Sequence, residues 1–298
     1  MSAVAEPIPY ASRRRAGARV LAFVRRHVLT AYALIAFAYL LLPVAVVIVF
    51  SFNHPHGRFN YTWQGFTLDN WVNWDAIPGL RSAVQISLEI AALSSVAATI
   101  LGTLIALALT RYRFRGRGFV NGLIFLPMAT PEIVLGSSLL TLFVNTALQN
   151  GVLPPGLQQL PKGTLYPLGF NTILIAHIMF NISYVVVTVR ARIADFDRHL
   201  EEAAMDLGAN ELMTFWKVTF PLIFPGILAA SLLAFSLSID DFVITNFVSG
   251  TTNTFPIWVW GVQKNALPAQ INVIGSIVFL AAVGLVGIAT LRGAKIRR

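Results

Sequence analysis

Four carboxylates lie within otherwise apolar stretches of this 298-residue chain: Glu89, Glu132, Asp240 and Asp241. Carrying an ionised group into hydrocarbon costs about 2.5–3.5 kcal/mol even on insertion scales, so each acid asks for a partner or a task. The basic residues stay outside these stretches. Intramembrane acids without matching bases suit the passage of a cation. Asp240 and Asp241 are consecutive, about 100° apart on a helix, so both are not expected to line one path. Asn181, Tyr184, Trp258 and Trp260 can contribute hydrogen bonds or cation–π contacts to such a path, or serve only in packing. A second group of acids is set in polar surroundings: Asp195, Asp197, Glu201, Glu202, Asp206 and Glu211, six of the 13 in the chain.

Other chemistries find no residues to carry them. There is no cysteine, hence no thiolate nucleophile, thiolate metal site or disulfide. No phosphate loop of the G-x-x-x-x-G-K-[ST] type, no H-E-x-x-H and no G-x-S-x-G occurs. His54-Pro55-His56 offers two imidazoles without a third ligand, so no metal site is expected. Any energy source must be another protein.

The elements that position the four acids are transmembrane helices. The chain is 56% apolar and 12% charged, with a mean hydropathy of +0.70; a soluble domain carries about 25% charged residues. Six stretches are expected to span: Ala31–Phe50, Ala83–Thr110, Phe119–Leu148, Asn171–Val189, Leu222–Val248 and Ile271–Leu291, each near or above the ~20 residues a bilayer requires. The longest two are expected to be tilted, broken or extended beyond the bilayer. Net charge is +9, but placement argues against nucleic acid: 18 of the 22 basic residues fall before the first span, between spans 2 and 3, between spans 4 and 5, and after the last. The positive-inside rule puts those segments, and both termini, in the cytoplasm.

The expected organisation is therefore an all-α membrane protein with a basic cytoplasmic tail (residues 1–30), a six-span domain (31–291) containing a cytoplasmic loop at 190–221, and a short cytoplasmic tail (292–298). Ser12-Arg13-Arg14 lies about 15 residues before a span long enough to cross and without a small-residue cleavage site, so that span is read as a retained anchor. In this frame Asp240, 19 residues beyond Pro221, sits roughly 28 Å along its helix at about 1.5 Å per residue, near the outer end. Glu89 and Glu132 fall in the middle-to-outer part. Pro127 and Pro131 flank the latter and free backbone carbonyls there. Ala98, Gly102 and Ala106, four residues apart, allow a close helix–helix approach in span 2.

The polar loop has a periodicity of its own. Leu200, Ala203, Ala204 and Leu207 recur at i, i+3, i+4 and i+7, one stripe of a helix, with Glu201, Glu202, Met205 and Asp206 on the other faces. Gly208 suits the left-handed position that closes a helix. Asn210 can cap the next, with Glu211 in its first turn. Pro221 opens span 5, where its missing N–H is harmless. The expectation is two short helices meeting at a glycine turn, parallel to the membrane.

Glu202-Ala203-Ala204, three residues, Gly208, nine residues, then Val218-x-Phe220-Pro221 resembles the EAA motif of ABC-importer permeases. Val218 and Phe220 stand for the usual isoleucine and leucine. The resemblance runs from span 1 to the C-terminus, and Ser236–Thr245, Phe247-Val248-Ser249-Gly250 and Pro131-Glu132-Ile133-Val134 are similar to PotC-type spermidine/putrescine permeases. Ala269 and Gln270 follow Pro268 where that group commonly has an acid, a departure that bears on the substrate. The resemblance implies a membrane subunit, not an enzyme, with a coupling helix around Glu201, Glu202, Ala203, Ala204, Asp206, Leu207, Gly208 and Pro221. It also implies a cytoplasmic ATPase dimer that binds the ATP and Mg, a second related permease, and an extracytoplasmic solute-binding protein. Polyamine cargo is the leading expectation. Other small solutes (iron, thiamine, phosphonate) and an ion-coupled carrier with Asp240 or Glu132 as the ion site stay open.

Overall fold

The computed structural model describes residues 10–148 and 167–296, with side chains over 27–145 and 167–284. The first nine residues of the expected tail, residues 149–166 of the proline-rich outer loop and the last two residues lie outside the described part. Helices carry the chain, and the described residues contain no β-strand beyond two isolated bridges.

Four helices are long and apolar enough to cross a membrane: His27–Phe50, Leu80–Arg111, Phe170–Ala194 and Glu211–Ile239. The third expected span is not one rod. It divides into Arg117–Ala129 and a helix from Glu132, bent by 109°. Pro131 causes the break: the residue before a proline is pushed out of the helical region, and Thr130 has φ −82°, ψ 132°. The fifth expected span also ends early, at Ile239, and Val243–Val248 is a separate short helix. A last apolar helix begins at Ala269, its described apolar part running to Gly284. Four spans, or five with the bent pair as one, are thus assigned by length and composition.

The chain divides into two compact units. One takes the chain up to Trp74 and from Asn265 onward. It contains α1 (Tyr10–Phe50), which continues helical into the expected basic tail, the single turn α2 (Asp69–Val72), and a loop knotted by asparagines. Buried Asn53 donates to Asn60 Oδ1 at 2.6 Å and to Thr62 O at 2.7 Å, while accepting from Gln64 N at 2.7 Å.

The other unit, Asp75–Lys264, holds the core. It contains α3 (Leu80–Arg111), α4 (Arg117–Ala129), α5 (Glu132–Leu148), α6 (Phe170–Ala194), α7 (His199–Asp206), α8 (Glu211–Thr214), a π-turn at Phe215–Thr219, α9 (Phe220–Ile239), α10 (Val243–Val248) and α11 (Phe255–Val262). Helices α3, α6 and α9 pack against one another. Small residues set that packing, as expected: Ala98 and Ala106 are fully buried, and a Cβ added to Gly102 would lie 2.8 Å from Val185 Cβ. Only a glycine lets α3 approach α6 this closely.

Candidate functional site

Two places in the Asp75–Lys264 unit combine charge with construction. The first is the 195–221 loop. Helix α7 ends in a Schellman motif: Gly208 N–H donates to Met205 O at 2.9 Å and Ala209 N–H to Ala204 O at 3.1 Å. Gly208 takes the left-handed conformation with φ +89°. Asn210 Oδ1 accepts the N–H of Met213 at 2.8 Å and so caps α8. From Glu211 the helix continues through the π-turn into α9, with Pro221 in the first turn of α9. The π register removes the ordinary i→i−4 bond just where proline cannot supply its donor.

The faces of α7 are reversed from the simple amphipathic expectation. Its apolar stripe turns outward: Leu200, Ala203 and Leu207 are exposed, Leu207 by 90%, with only Ala204 half-buried. The side chain turned inward is Glu201. Both terminal guanidinium nitrogens of Arg111, the last residue of α3, donate to its two carboxylate oxygens, and the Thr219 hydroxyl donates to Oε1. Arg111 also lies over the Phe196 ring, 5.9 Å from its centroid. Burial alone would raise the Glu201 carboxyl. Hydrogen bonds from Arg111 and Thr219 and the charges of Arg111 and Arg198 outweigh it and hold the group below its ordinary value. Glu201, expected on the outer surface of the loop, is therefore a strut between α7, α3 and the start of α9, whereas Glu202 and Asp206 are exposed. The same end is tied again where Arg192 Nε donates to Leu222 O at 3.2 Å and Arg190 to Asn121 Oδ1 at 2.8 Å.

The second place is the gap between α9 and α10. Asp241 Oδ2 accepts the N–H of Thr245 at 2.8 Å and its hydroxyl at 2.6 Å, holding the first turn of α10. His177 on α6, 3% exposed, sits behind it. Its Nε2 lies 2.8 Å from Thr245 Oγ1 and 3.3 Å from Asp241 Oδ2, and its Nδ1 lies 2.6 Å from Ser238 Oγ. Ser238 Oγ is in turn 2.9 Å from Ser94 Oγ on α3. Because the Thr245 hydroxyl proton goes to Asp241, its lone pair is free to take an Nε2 proton of His177. The chain of bonds fastens four helices where α9 stops.

The four acids considered for a cation path lie in different surroundings. Asp241 is enclosed by this network, and Asp240 beside it is exposed. Glu89 on α3 and Glu132 in the first turn of α5 are both exposed and make no ion pair among the described residues. Tyr184 packs its ring on Phe180, centroids 5.0 Å apart. Trp258 is buried, its indole N–H donating to Pro78 O at 3.2 Å. Asn181 is fully buried with both side-chain polar atoms unpartnered. His177 was not singled out from the sequence; its one signal is a lone histidine in an apolar run.

A family model described as "Binding-protein-dependent transport system inner membrane component" matches residues 98–296. The chain belongs to this family. The permease is 37% identical over 255 residues to the spermidine/putrescine transport system permease protein PotC of Escherichia coli (strain K12), covering 84% of this chain and 88% of that protein. It is 38% identical over 256 residues to the putrescine transport system permease protein PotI of the same strain, covering 85% and 86%. To the PotC protein of Haemophilus influenzae it is 34% identical over 261 residues, covering 86% and 92%. A solved bacterial ABC transporter involved in import of the acidic polysaccharide alginate shares the fold, with TM-score 0.64 at 18% identity over 94% of this chain and 99% of that one. The permease is thus a transporter subunit of the binding-protein-dependent class, not an enzyme, and the family displaces the ion-coupled carrier reading.

Proposed function

We propose that this permease is one of two related membrane subunits of an ATP-driven importer for polyamines such as putrescine and spermidine. Six spans with both termini in the cytoplasm, the third span broken at Thr130–Pro131, account for the distribution of basic residues. The observation that carries the coupling role is the outward apolar stripe of α7, fixed from inside by Arg111, Glu201 and Thr219. A stripe exposed in a loop so firmly braced is a docking element for a soluble partner. We assign that partner as the ATPase dimer, which binds ATP and Mg; this chain needs no cofactor of its own. A push on Leu200, Ala203 and Leu207 passes through Glu201 into α3 and α9 together. Glu202 and Asp206 face the partner beside the stripe. A solute-binding protein delivers cargo on the opposite side, where Asp240 is an exposed acid. The polyamine assignment draws on the cargo of the PotC and PotI relatives and on this acid.

The test is uptake of labelled putrescine and spermidine by the chain assembled with its neighbouring permease, ATPase and binding protein. Glu202→Lys is expected to abolish transport and weaken ATPase docking with membrane insertion intact. Normal uptake in that variant would sink the coupling role. Robust ATPase activity without polyamine uptake would keep the importer and exclude the cargo.

A further inference from the structure

Helix α11 turns two tryptophans to different surroundings. Trp258 is buried against Pro78, but Trp260, two residues on, is 52% exposed. The Trp260 ring packs on Phe242, with centroids 5.3 Å apart and planes at 45°. Its face is not empty: Lys264 Nζ lies 5.9 Å from the ring centroid. Phe242 follows the acid pair directly in the chain. Of that pair, Asp241 is enclosed by His177 and Thr245, whereas Asp240 is exposed and makes no salt bridge among the described residues.

An indole face attracts an alkylammonium cation through its quadrupole, and a second ring alongside shields that cation from water. A hard metal ion needs oxygen ligands, and an anion is repelled by the face. Lys264 reports directly which cation this surface accepts, since its side chain ends in a primary alkylammonium. That is the group at each end of a polyamine. We propose that Trp260, backed by Phe242, is a subsite for one terminal ammonium of the cargo, with exposed Asp240, two residues before Phe242 in the chain, as the acid assigned to it. Lys264 is its resident competitor, covering the ring until substrate displaces it. The inference deepens the polyamine reading and rests on it. It assigns the indole face to the ammonium and the exposed acid to the neighbouring charge, and it gives Lys264 the task of raising the substrate concentration needed to occupy the subsite.

The experiment measures putrescine uptake against concentration in proteoliposomes holding the complete transporter, for the wild type, Lys264→Gln, Trp260→Phe, Trp260→Ala and the double variant Lys264→Gln/Trp260→Ala. Releasing the ring in Lys264→Gln is expected to lower KM about two- to fivefold, the range of an exposed cation–π contact. Trp260→Ala should raise KM and remove any further effect of Lys264→Gln, while Trp260→Phe, which keeps a ring face, stays nearer the wild type. An unchanged or raised KM in Lys264→Gln overturns the proposal, as does a Lys264 effect that persists without the indole. Lys264 is exposed, so this arm does not depend on whether Trp260→Ala assembles. If the wild-type transporter couples ATP hydrolysis to its binding protein yet carries no putrescine, the polyamine reading itself has failed, and the subsite with it. Wild-type uptake with no response to either substitution removes the subsite alone.

Discussion

Two consecutive acid pairs, Glu201–Glu202 in the 195–221 loop and Asp240–Asp241 at the end of α9, are divided in the same way. One member turns inward and fastens helices, and the other stays exposed. What differs is the counterpart. Glu201 meets a guanidinium, a permanent cation in a two-pronged contact that fixes direction as well as distance. Asp241 meets the hydroxyl and N–H of Thr245 and a histidine that is itself hydrogen-bonded onward to Ser238 and Ser94, with no guanidinium in the set. The first arrangement is a rigid joint, suited to transmitting force from α7 into α3 and α9. The second holds a break in a helix, and helix breaks are where a transporter has to re-form contacts as it changes shape.

The comparison breaks most readily at the rigid joint. Arg111→Ala leaves Glu201 buried and unpaired, a class of change that costs about 3–5 kcal/mol when burial is complete and less with residual exposure. Thermal unfolding of the purified complex should show a larger loss for Arg111→Ala than for any change at the helix break or at Gly208. The charge-swapped double variant, Arg111→Glu with Glu201→Arg, should recover part of it. The pair also sets an acid limb. Because the Glu201 carboxyl is held below its ordinary value, its contribution is present above the ordinary carboxylate range and lost as pH falls through the lowered value. Glu201→Gln should flatten that limb. A steep acid limb surviving in Glu201→Gln would place the pH dependence elsewhere.

The helix break yields a smaller effect with a sharper pattern. His177→Phe strands buried hydroxyls, at about 1–3 kcal/mol per unsatisfied group, and Asp241→Asn keeps an acceptor for Thr245 but loses the charge that strengthens both of its hydrogen bonds. Asp240→Asn changes an exposed side chain, so stability should stay within about 0.5 kcal/mol while polyamine uptake falls. Unfolding and uptake measured side by side test the division of labour directly. If Asp240→Asn unfolds the complex and Asp241→Asn only slows transport, the roles are reversed.

How far this division was readable from sequence depends on distance along the chain. Gly208, Asn210 and the Ala98–Gly102–Ala106 stripe act through neighbours within a turn or two, and their types and spacing give their roles. Thr130–Pro131 was equally open to reading, because proline restricts its own predecessor. Which acid of a pair turns inward is different. Glu201 is chosen by Arg111, 90 residues earlier, and Asp241 by His177, on another helix. Periodicity assigns Leu200, Ala203, Ala204 and Leu207 to one face correctly but does not say whether that face meets the protein's own core or a partner. Here the core side is held by a charged pair, so the ordinary rule of apolar residues inward is inverted.

That inversion can be probed at the turn between α7 and α8, where only a modest stability effect is expected. Gly208 has φ +89°, and a Cβ placed on it meets no atom within 4 Å. Its replacement therefore strains the backbone without a clash. Gly208→Val should cost about 1–2 kcal/mol, the penalty for an L-residue in the left-handed region, and Gly208→Asn less, because a short polar side chain tolerates that conformation. In the isolated chain the two variants should rank in that order by thermal unfolding. In the assembled transporter the ranking becomes diagnostic. If Gly208→Asn couples ATPase activity to uptake nearly normally, the glycine serves only to set the angle between α7 and α8. If Gly208→Asn uncouples as fully as Gly208→Val while remaining the more stable of the two, the open space around Gly208 is filled by the partner, and the docking face extends from the Leu200–Leu207 stripe across the turn.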